Sequence, residues 1–533
     1  MSSANGRQDL SARGVQDLSA LGIQALVDPG KTPTDEQVRV IEAPRRPLLV
    51  VAGAGSGKTE TMSMRVLWLV ANHEDIAPSS VLGLTFTRKA AGELGDRLRQ
   101  RLALLAGRVP SLRERLDEDP VSLTYNSFAE RIVAEHGMRI GIDPDFTMLT
   151  EAGAVDLMTQ IVEGWPTDLD EDLSPSAAVG HCLHLAGEVG EHGYTVEEAR
   201  DALEGFGRDL EQIGATNDTA RKTLRANARR LAYLGPVEEF QRRKREGGLL
   251  DFSDQLVLAT RIVRGAPAVR AQVRDEFQAV LLDEFQDTSV IQMELLSLLF
   301  HDHAVTAVGD PNQAIYGWRG ASASSLERFL DRFQDGPAQP GQTLTLSTAW
   351  RNDRNILRAA NRVAAPLREH SRAAKSPVLR ARPGAGEGRV DVAYTQDYRS
   401  ALGAVVDFVS AHRARGTREG KRPTTAVLCR RRSDFPYVDM ALREAGVPTQ
   451  IVGLGGLLDQ PSVQDARAAL VLADDVEASP WLARLLAGID LGAADLVALG
   501  DWARHLAREE GRDPHRAVLL DAVDNPPEPG WSA

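Results

Sequence analysis

The sequence predicts an α/β protein built on a parallel sheet, with helices covering both faces. Three observations predict it. The apolar run PLLVVAG (47–53) enters a glycine loop, opens into the helical pattern TETMSMRVLWLVA (59–71), and returns as VLGLTF (81–86), a β-α-β unit. Two more short apolar runs, FQAVLLDEFQ (277–286) and AVTAVGD (304–310), contain or end in acidic residues, as strands of a buried parallel sheet do when chemistry sits at their ends. Between about 129 and 246 the periodicity is helical, so a helical insertion interrupts the sheet.

At 533 residues the chain exceeds what one hydrophobic core fills, so several domains are expected. Its hydrophobic fraction of 43% and charged fraction of 26% exclude a wholly disordered or fibrous chain. Cys182 and Cys429 form neither a C-x-x-C pair nor part of a histidine cluster, which argues against a disulfide framework or structural zinc and points to a reducing cytosol. The start, MSSANGRQDLSARG, lacks a signal-like apolar core, and no apolar run reaches membrane-spanning length, so a soluble, cytoplasmic protein without membrane partners is expected. A formal charge of −13 opposes general attraction to phosphate backbones, so any nucleic-acid groove must be locally basic. RKTLRANARR (221–230) and QRRKRE (241–246) offer such density, although each by itself reads more simply as a solvated helix face.

In chain order, the repeated QDLSA (8–12 and 16–20) marks a short helical or disordered arm. A third α/β stretch covers roughly 345–455, with strands at LTLS and TTAVLCR (424–430) and the helix VDMALREAG before TQIVG. From about 460 the tail is helical until the Pro/Gly-rich DNPPEPGWSA.

AGAGSGKT (52–59) follows a strand and opens a helix, the setting a phosphate-binding loop needs. Ala52, Gly53, Ala54, Gly55, Ser56 and Gly57 are small enough for backbone N–H groups to wrap phosphate oxygens; Ala52 stands where the strict pattern has glycine. Lys58 reaches the β- and γ-phosphates, and the Thr59 hydroxyl ligates Mg²⁺. LLDEFQDT (281–288) ends a strand with Asp283, suited to hold Mg²⁺ through water, and Glu284, suited to orient the attacking water. An Asp-Glu pair alone is more often a strand cap; with the phosphate loop upstream, the pair indicates a nucleoside triphosphatase.

Eight segments then occur in a telling order: TDEQVRVI, AGAGSGKT, GLTFTRKAAGEL, TYNSF, LLDFSDQL, DEFQDTS, GDPNQAIYGWRGA and WRNDRNIL. Together they resemble the superfamily 1 DNA helicases of the UvrD/Rep/PcrA type. The resemblance implies a P-loop NTPase with a RecA-like first motor lobe at 31–128 and 247–345, an N-terminal arm at 1–30, a helical insertion at 129–246, a partial second RecA-like lobe at 346–459, and part of that lobe's helical insertion at 460–533. It implies an ATP-dependent motor that moves 3′ to 5′ on single-stranded DNA and opens duplex junctions in repair or recombination.

By the same resemblance Gln37 reads adenine, Trp350 stacks near the base, Gln313 senses the γ-phosphate, and Arg351 is an arginine finger, with Trp350 where the family's segment has tyrosine. Phe86, Phe252, Tyr316 and Trp318 resemble the residues on which the family stacks unpaired bases, while Thr87, Arg88, Ser127 and Arg319 would contact phosphates or orient the strand. The family's TFTN and TFHSF stand here as TFTR and TYNSF. Among the aromatics, Phe252 has the strongest claim to a core position, because Leu249 and Leu250 beside it are apolar.

GSGKTETM, GLTFTRKAAGEL and VGLGGLL are phrased like actinobacterial helicase–nuclease subunits of the AdnA/AdnB type, without a nuclease domain. The family's later motifs are expected after Ala533, which makes a missing C-terminal half or a partner subunit an expectation. The alternative is a truncated, non-processive ATP- and DNA-binding subunit of a larger complex. Base stacking does not separate DNA from RNA, and the resemblance favours DNA.

Overall fold

The computed structural model describes residues 18–527 except 144–145, 168, 170–172, 215–216, 316–324, 335–340, 371–374, 415–423, 453–460, 490, 513 and 515–516. Two compact units result, the first ending at Val390 and the second starting at Asp391.

The first unit is organised on six parallel strands: β1 (Leu48–Ala52), β2 (Val81–Thr85), β3 (Val121–Thr124), β4 (Ala279–Leu282), β5 (Val305–Gly309) and β6 (Gln342–Leu346). Their spatial order is β3-β2-β4-β5-β1-β6, and every pairing is parallel. The period of two sorts their side chains cleanly. Leu49, Val51, Leu82, Leu84, Val280 and Leu282 enter one core with the helices Tyr125–His136, Phe252–Gly265 and Val290–Phe300. Leu48, Val50, Val81, Ala279 and Leu281 enter the other, with the helices Lys58–Asn72 and Arg88–Arg108. Burial on both faces explains why these runs read as continuously apolar instead of alternating.

Four expectations need correction. LTLS is not part of a second lobe: β6 lies beside β1, with Leu48 opposite Gln342 and Ala52 opposite Leu346. Periodicity identifies a strand but says nothing about its neighbour. The arm is not separate after Leu18, because the helix Ala20–Val27 buries Ala20 and Ile23 in the second core and Ala20 N donates to Glu42 Oε1 at 2.7 Å. Residues 129–143 and 146–148 pack with the lobe and not with the insertion, since Ala129, Ile132 and Val133 line the first core and Ile140, Ile142, Phe146 and Met148 pack against it. A separate core, including Met158, Val179, Cys182, Leu185, Tyr233 and Phe240, begins only afterwards, and Thr147–Met148 pairs with Leu249–Leu250 at its base. Finally, TTAVLCR and the described part of TQIVG (449–452) form no strand; the second unit is helical among its described residues. Strand identity needs a hydrogen-bonding neighbour, and no ladder reaches these segments.

One buried cation holds the front of the lobe together. Arg65 is fully buried; its Nη1 donates to the carbonyls of Val40, Ile41 and Ala43, its Nη2 to Pro44 O, and its Nε to Thr306 Oγ1 at 2.9 Å. It thereby caps the C-terminal end of the helix Asp35–Ile41, where the helix dipole favours a cation. Burial pushes its guanidinium down to about 10, so it stays charged at neutral pH. Arg65→Leu strands those carbonyls and is expected to destabilise the chain by about 3 kcal/mol or more, read as a lowered midpoint in urea unfolding.

Candidate active site

Every candidate residue described in the first unit lies beyond the C-terminal end of a strand or on an element packed against that edge, where open α/β sheets place their ligands. The phosphate loop leaves β1 and turns through Gly55 (φ 72°) and Gly57 (φ 82°), left-handed conformations that favour glycine. A Cβ on Gly53 would come 2.1 Å from Leu379 Cδ2, and one on Gly55 would come 2.9 Å from Arg351 Cβ. The Ser56 hydroxyl oxygen is buried without a hydrogen-bond partner among the described residues. A cradle with room for backbone only, and a polar atom still to be satisfied, fits a phosphate group.

Lys58 opens the following helix, and its Nζ lies 2.8 Å from Glu284 Oε2. Glu284 follows β4 at φ 48°, an uncommon conformation for a non-glycine residue and a strain that suits a functional position. Gln286 Nε2 donates to the same Glu284 oxygen at 2.9 Å, and Gln286 Oε1 accepts from Asp310 N at 3.0 Å. Asp310 Oδ2 in turn accepts from Gln313 Nε2 at 2.6 Å, and Asp310 Oδ1 accepts from Ser376 Oγ. One continuous chain of polar contacts therefore joins Lys58, Glu284 and Gln313. Asp283 Oδ1 accepts from Glu284 N, while burial, reinforced by the Glu284 charge, pushes the Asp283 carboxyl up to about 6.

No cluster of three or more His, Cys, Asp or Glu side chains suited to a metal occurs among the described residues. Thr59 and Asp283 could hold Mg²⁺ only together with phosphate oxygens and water, which is the usual arrangement for this ion.

The segment after β6 covers the loop. Trp350 N donates to Gly55 O at 2.8 Å, and Arg351 follows, exposed, with no recorded partner for its guanidinium among the described residues. A Cβ on Gly57 would sit 3.0 Å from Gln37 Nε2 and 3.7 Å from Trp350 Cδ1, so both side chains flank the same glycine. Gln37 is buried and closes a capping box with Thr34: its Oε1 accepts from Thr34 N, leaving Nε2 as the donor end, without a hydrogen bond among the described residues.

A second concavity, about 510 Å³, opens between the lobe and the insertion; Phe86, Arg88, Asn126, Ser127, Phe252 and Ser253 are among its lining residues. Phe86 packs on Tyr125 with ring centroids 4.8 Å apart. Phe252, a stacking candidate for which a core position was the competing reading, is 56% exposed and lines this concavity. The reason is local: Leu250 is buried, Asp251 caps the next helix, and Phe252 leaves its first turn outward. Thr87 spends its hydroxyl capping the helix Arg88–Arg108, and Ser127 Oγ accepts from Thr124 Oγ1. Tyr316, Trp318 and Arg319 lie outside the described residues. Three of the four cations of QRRKRE are paired with carboxylates: Arg242 with Glu239 and Glu246, Arg243 with Glu239, and Lys244 with Asp251 and Asp254.

Residues 33–334, more than half of the 533-residue chain, match the family described as the UvrD/REP helicase N-terminal domain. The chain belongs to the UvrD/REP helicase family. It is 26% identical over 492 residues to DNA helicase II of Haemophilus influenzae, covering 92% of this chain and 60% of the relative. It is 28% identical over 440 residues to DNA helicase II of Escherichia coli, covering 82% and 54%. To the ATP-dependent DNA helicase UvrD2 of Mycobacterium tuberculosis it is 28% identical over 500 residues, covering 92% and 64%. The chain thus spans less than two thirds of the length of each of these relatives.

Within this UvrD/REP lobe, three contributors escaped the sequence reading. Gln286 sits inside the recognised DEFQDT; the hint was Gly309, where a Cβ would come 2.7 Å from Gln286 Oε1. Arg65 lies on a helix that reads as ordinary amphipathic sequence. Glu36 contacts Ser347, far along the chain, and no local pattern announces that contact.

Proposed function

We propose that this chain is the ATP-hydrolysing motor portion of a DNA helicase that translocates 3′ to 5′ on single-stranded DNA and opens duplex junctions, in repair or recombination. The observation that carries the reading is the Lys58–Glu284 contact, continued through Gln286 and Asp310 to Gln313, with Arg351 packed over Gly55. The names of the relatives, DNA helicase II and ATP-dependent DNA helicase, support it.

In this reading the loop from Ala52 to Thr59 wraps the phosphates of ATP, and Lys58 is shared between them and Glu284. Thr59 and Asp283 would hold Mg²⁺, which would supply positive charge to offset that of the phosphates. Glu284 orients the attacking water and accepts its proton, Gln313 registers the γ-phosphate, and Arg351 stabilises charge on the transferring group. Gln37 donates to the adenine edge, and Trp350 packs near the base. Phe86 and Phe252 stack unpaired bases in the groove, with Arg88 and Ser127 toward the backbone; by the sequence resemblance Thr87, Tyr316, Trp318 and Arg319 also contact the strand.

Residues 346–459 we read as part of a second RecA-like lobe and 460–533 as part of its helical insertion, a reading supported by the order of the sequence motifs. The finer likeness to AdnA/AdnB-type subunits rests on GSGKTETM and VGLGGLL and supports work alongside a further segment or partner subunit. No described helix is long and apolar enough to cross a membrane, and the cytoplasm is the compartment we propose for work on DNA.

The test is turnover and strand displacement with Mg²⁺, ATP and duplexes carrying a 3′ or a 5′ single-stranded tail. Turnover raised by single-stranded DNA, with displacement from 3′ tails, is expected; turnover indifferent to DNA would overturn the reading. Phe252→Ala is expected to weaken single-stranded DNA binding about 10-fold, the scale of one lost base stack, measured by fluorescence anisotropy.

A further inference from the structure

We infer that the contact between Glu36 and Ser347 is a bracket tying base recognition to the placement of Arg351, with Glu36 and Ser347 as positioning residues for hydrolysis. The inference rests on the roles proposed above for Gln37 and Arg351. Glu36 Oε2 accepts from Ser347 N at 2.7 Å, and Glu36 Oε1 accepts from Ser347 Oγ at 2.7 Å. Both carboxylate oxygens are spent on one residue, and Ser347 is buried, so the contact has one orientation and little competition from water.

What the contact joins gives it meaning. Glu36 lies in the first turn of the seven-residue helix Asp35–Ile41, directly before Gln37. That helix is fixed at its N-terminal end by the Thr34–Gln37 capping box and at its C-terminal end by the Arg65 guanidinium, so it moves as one body. Ser347 directly follows β6; after Thr348–Ala349, which pairs with Arg380–Ala381, come Trp350 and Arg351. Gln37 Nε2 and Trp350 Cδ1 flank Gly57, and Arg351 Cβ crowds Gly55. A base that seats Gln37 seats this helix, and through Glu36 it seats the strand exit that carries Arg351. Base identity then governs kcat as well as KM, because a poorly seated base leaves Arg351 out of line.

The experiment measures DNA-stimulated turnover of ATP and GTP by the full chain carrying Ser347→Ala or Glu36→Ala, each alone and combined with Arg351→Ala. Each single substitution is expected to lower kcat for ATP about 10-fold, with KM changed less than about twofold, and to narrow the kcat preference for ATP over GTP. With Arg351 already replaced, neither substitution lowers the rate further, and Ser347→Thr, which keeps the hydroxyl, restores most of it. Should Glu36→Ala fold poorly in a thermal melt, Glu36→Gln keeps the shape and one acceptor and serves in its place. Equal losses with and without Arg351, or a change confined to KM, would overturn the bracket while leaving the finger role intact. No effect of Arg351→Ala alone, or no DNA-dependent turnover by the unsubstituted chain, would overturn the finger role and the bracket with it.

Discussion

Lys58→Ala is expected to lower DNA-stimulated ATP turnover by about 100-fold or more, in the range seen when one preorganised donor is removed from developing transition-state charge. Two effects combine. The ammonium group that would face the β- and γ-phosphates is lost, and Glu284 loses the cation 2.8 Å from its Oε2. Alanine at this position retains the helix start, since Gly57 supplies the left-handed turn and Thr61 N bonds Gly57 O at 2.9 Å. A steady-state assay with a thermal-melt control checks it: a folded variant with unchanged turnover would remove the phosphate loop from the reaction.

Arg351→Ala is expected to cost about 1,000-fold in kcat, at the lower end of what arginine fingers contribute, with KM for ATP moved far less. The split follows from position. Arg351 is exposed and no partner is recorded for its guanidinium among the described residues, so its removal breaks no described contact and leaves binding groups such as Lys58 and Gln37 in place. Arg351→Lys is expected to recover only part of the rate, because an ammonium lacks the planar fork that meets phosphoryl oxygens in pairs. Single-turnover measurements distinguish a slowed chemical step from slowed release; a matching rise in KM with unchanged kcat would show that Arg351 only binds.

What could be read in the sequence was whatever the chain writes contiguously. The loop from Ala52 to Thr59 lies in one uninterrupted stretch between a strand and a helix, and Asp283 with Glu284 ends another strand, so local pattern suffices. The sheet itself was legible through its apolar runs. The position of LTLS was not, because a strand's periodicity is silent about which strand it joins, and β6 joins β1 across almost the whole first unit. For Phe252 the apolar neighbours left a core position competing with the stacking role, and the Asp251 cap, which changes the local period from two to 3.6 at that residue, turns the ring outward. Gln286, Arg65 and Glu36 act across large sequence separations, to Asp310, to the carbonyls after Val40 and to Ser347, and a single sequence carries no signal for such pairs.

The placement of β6 at the sheet margin has a mechanical consequence. Beyond β6 the chain stays within the first unit, and Gly53 N still bonds Leu346 O where the strand ends. A pull on the strand exit at Ser347 is therefore carried lengthwise by the β1–β6 ladder to the start of the phosphate loop, as a towline loads the cleat to which it is tied.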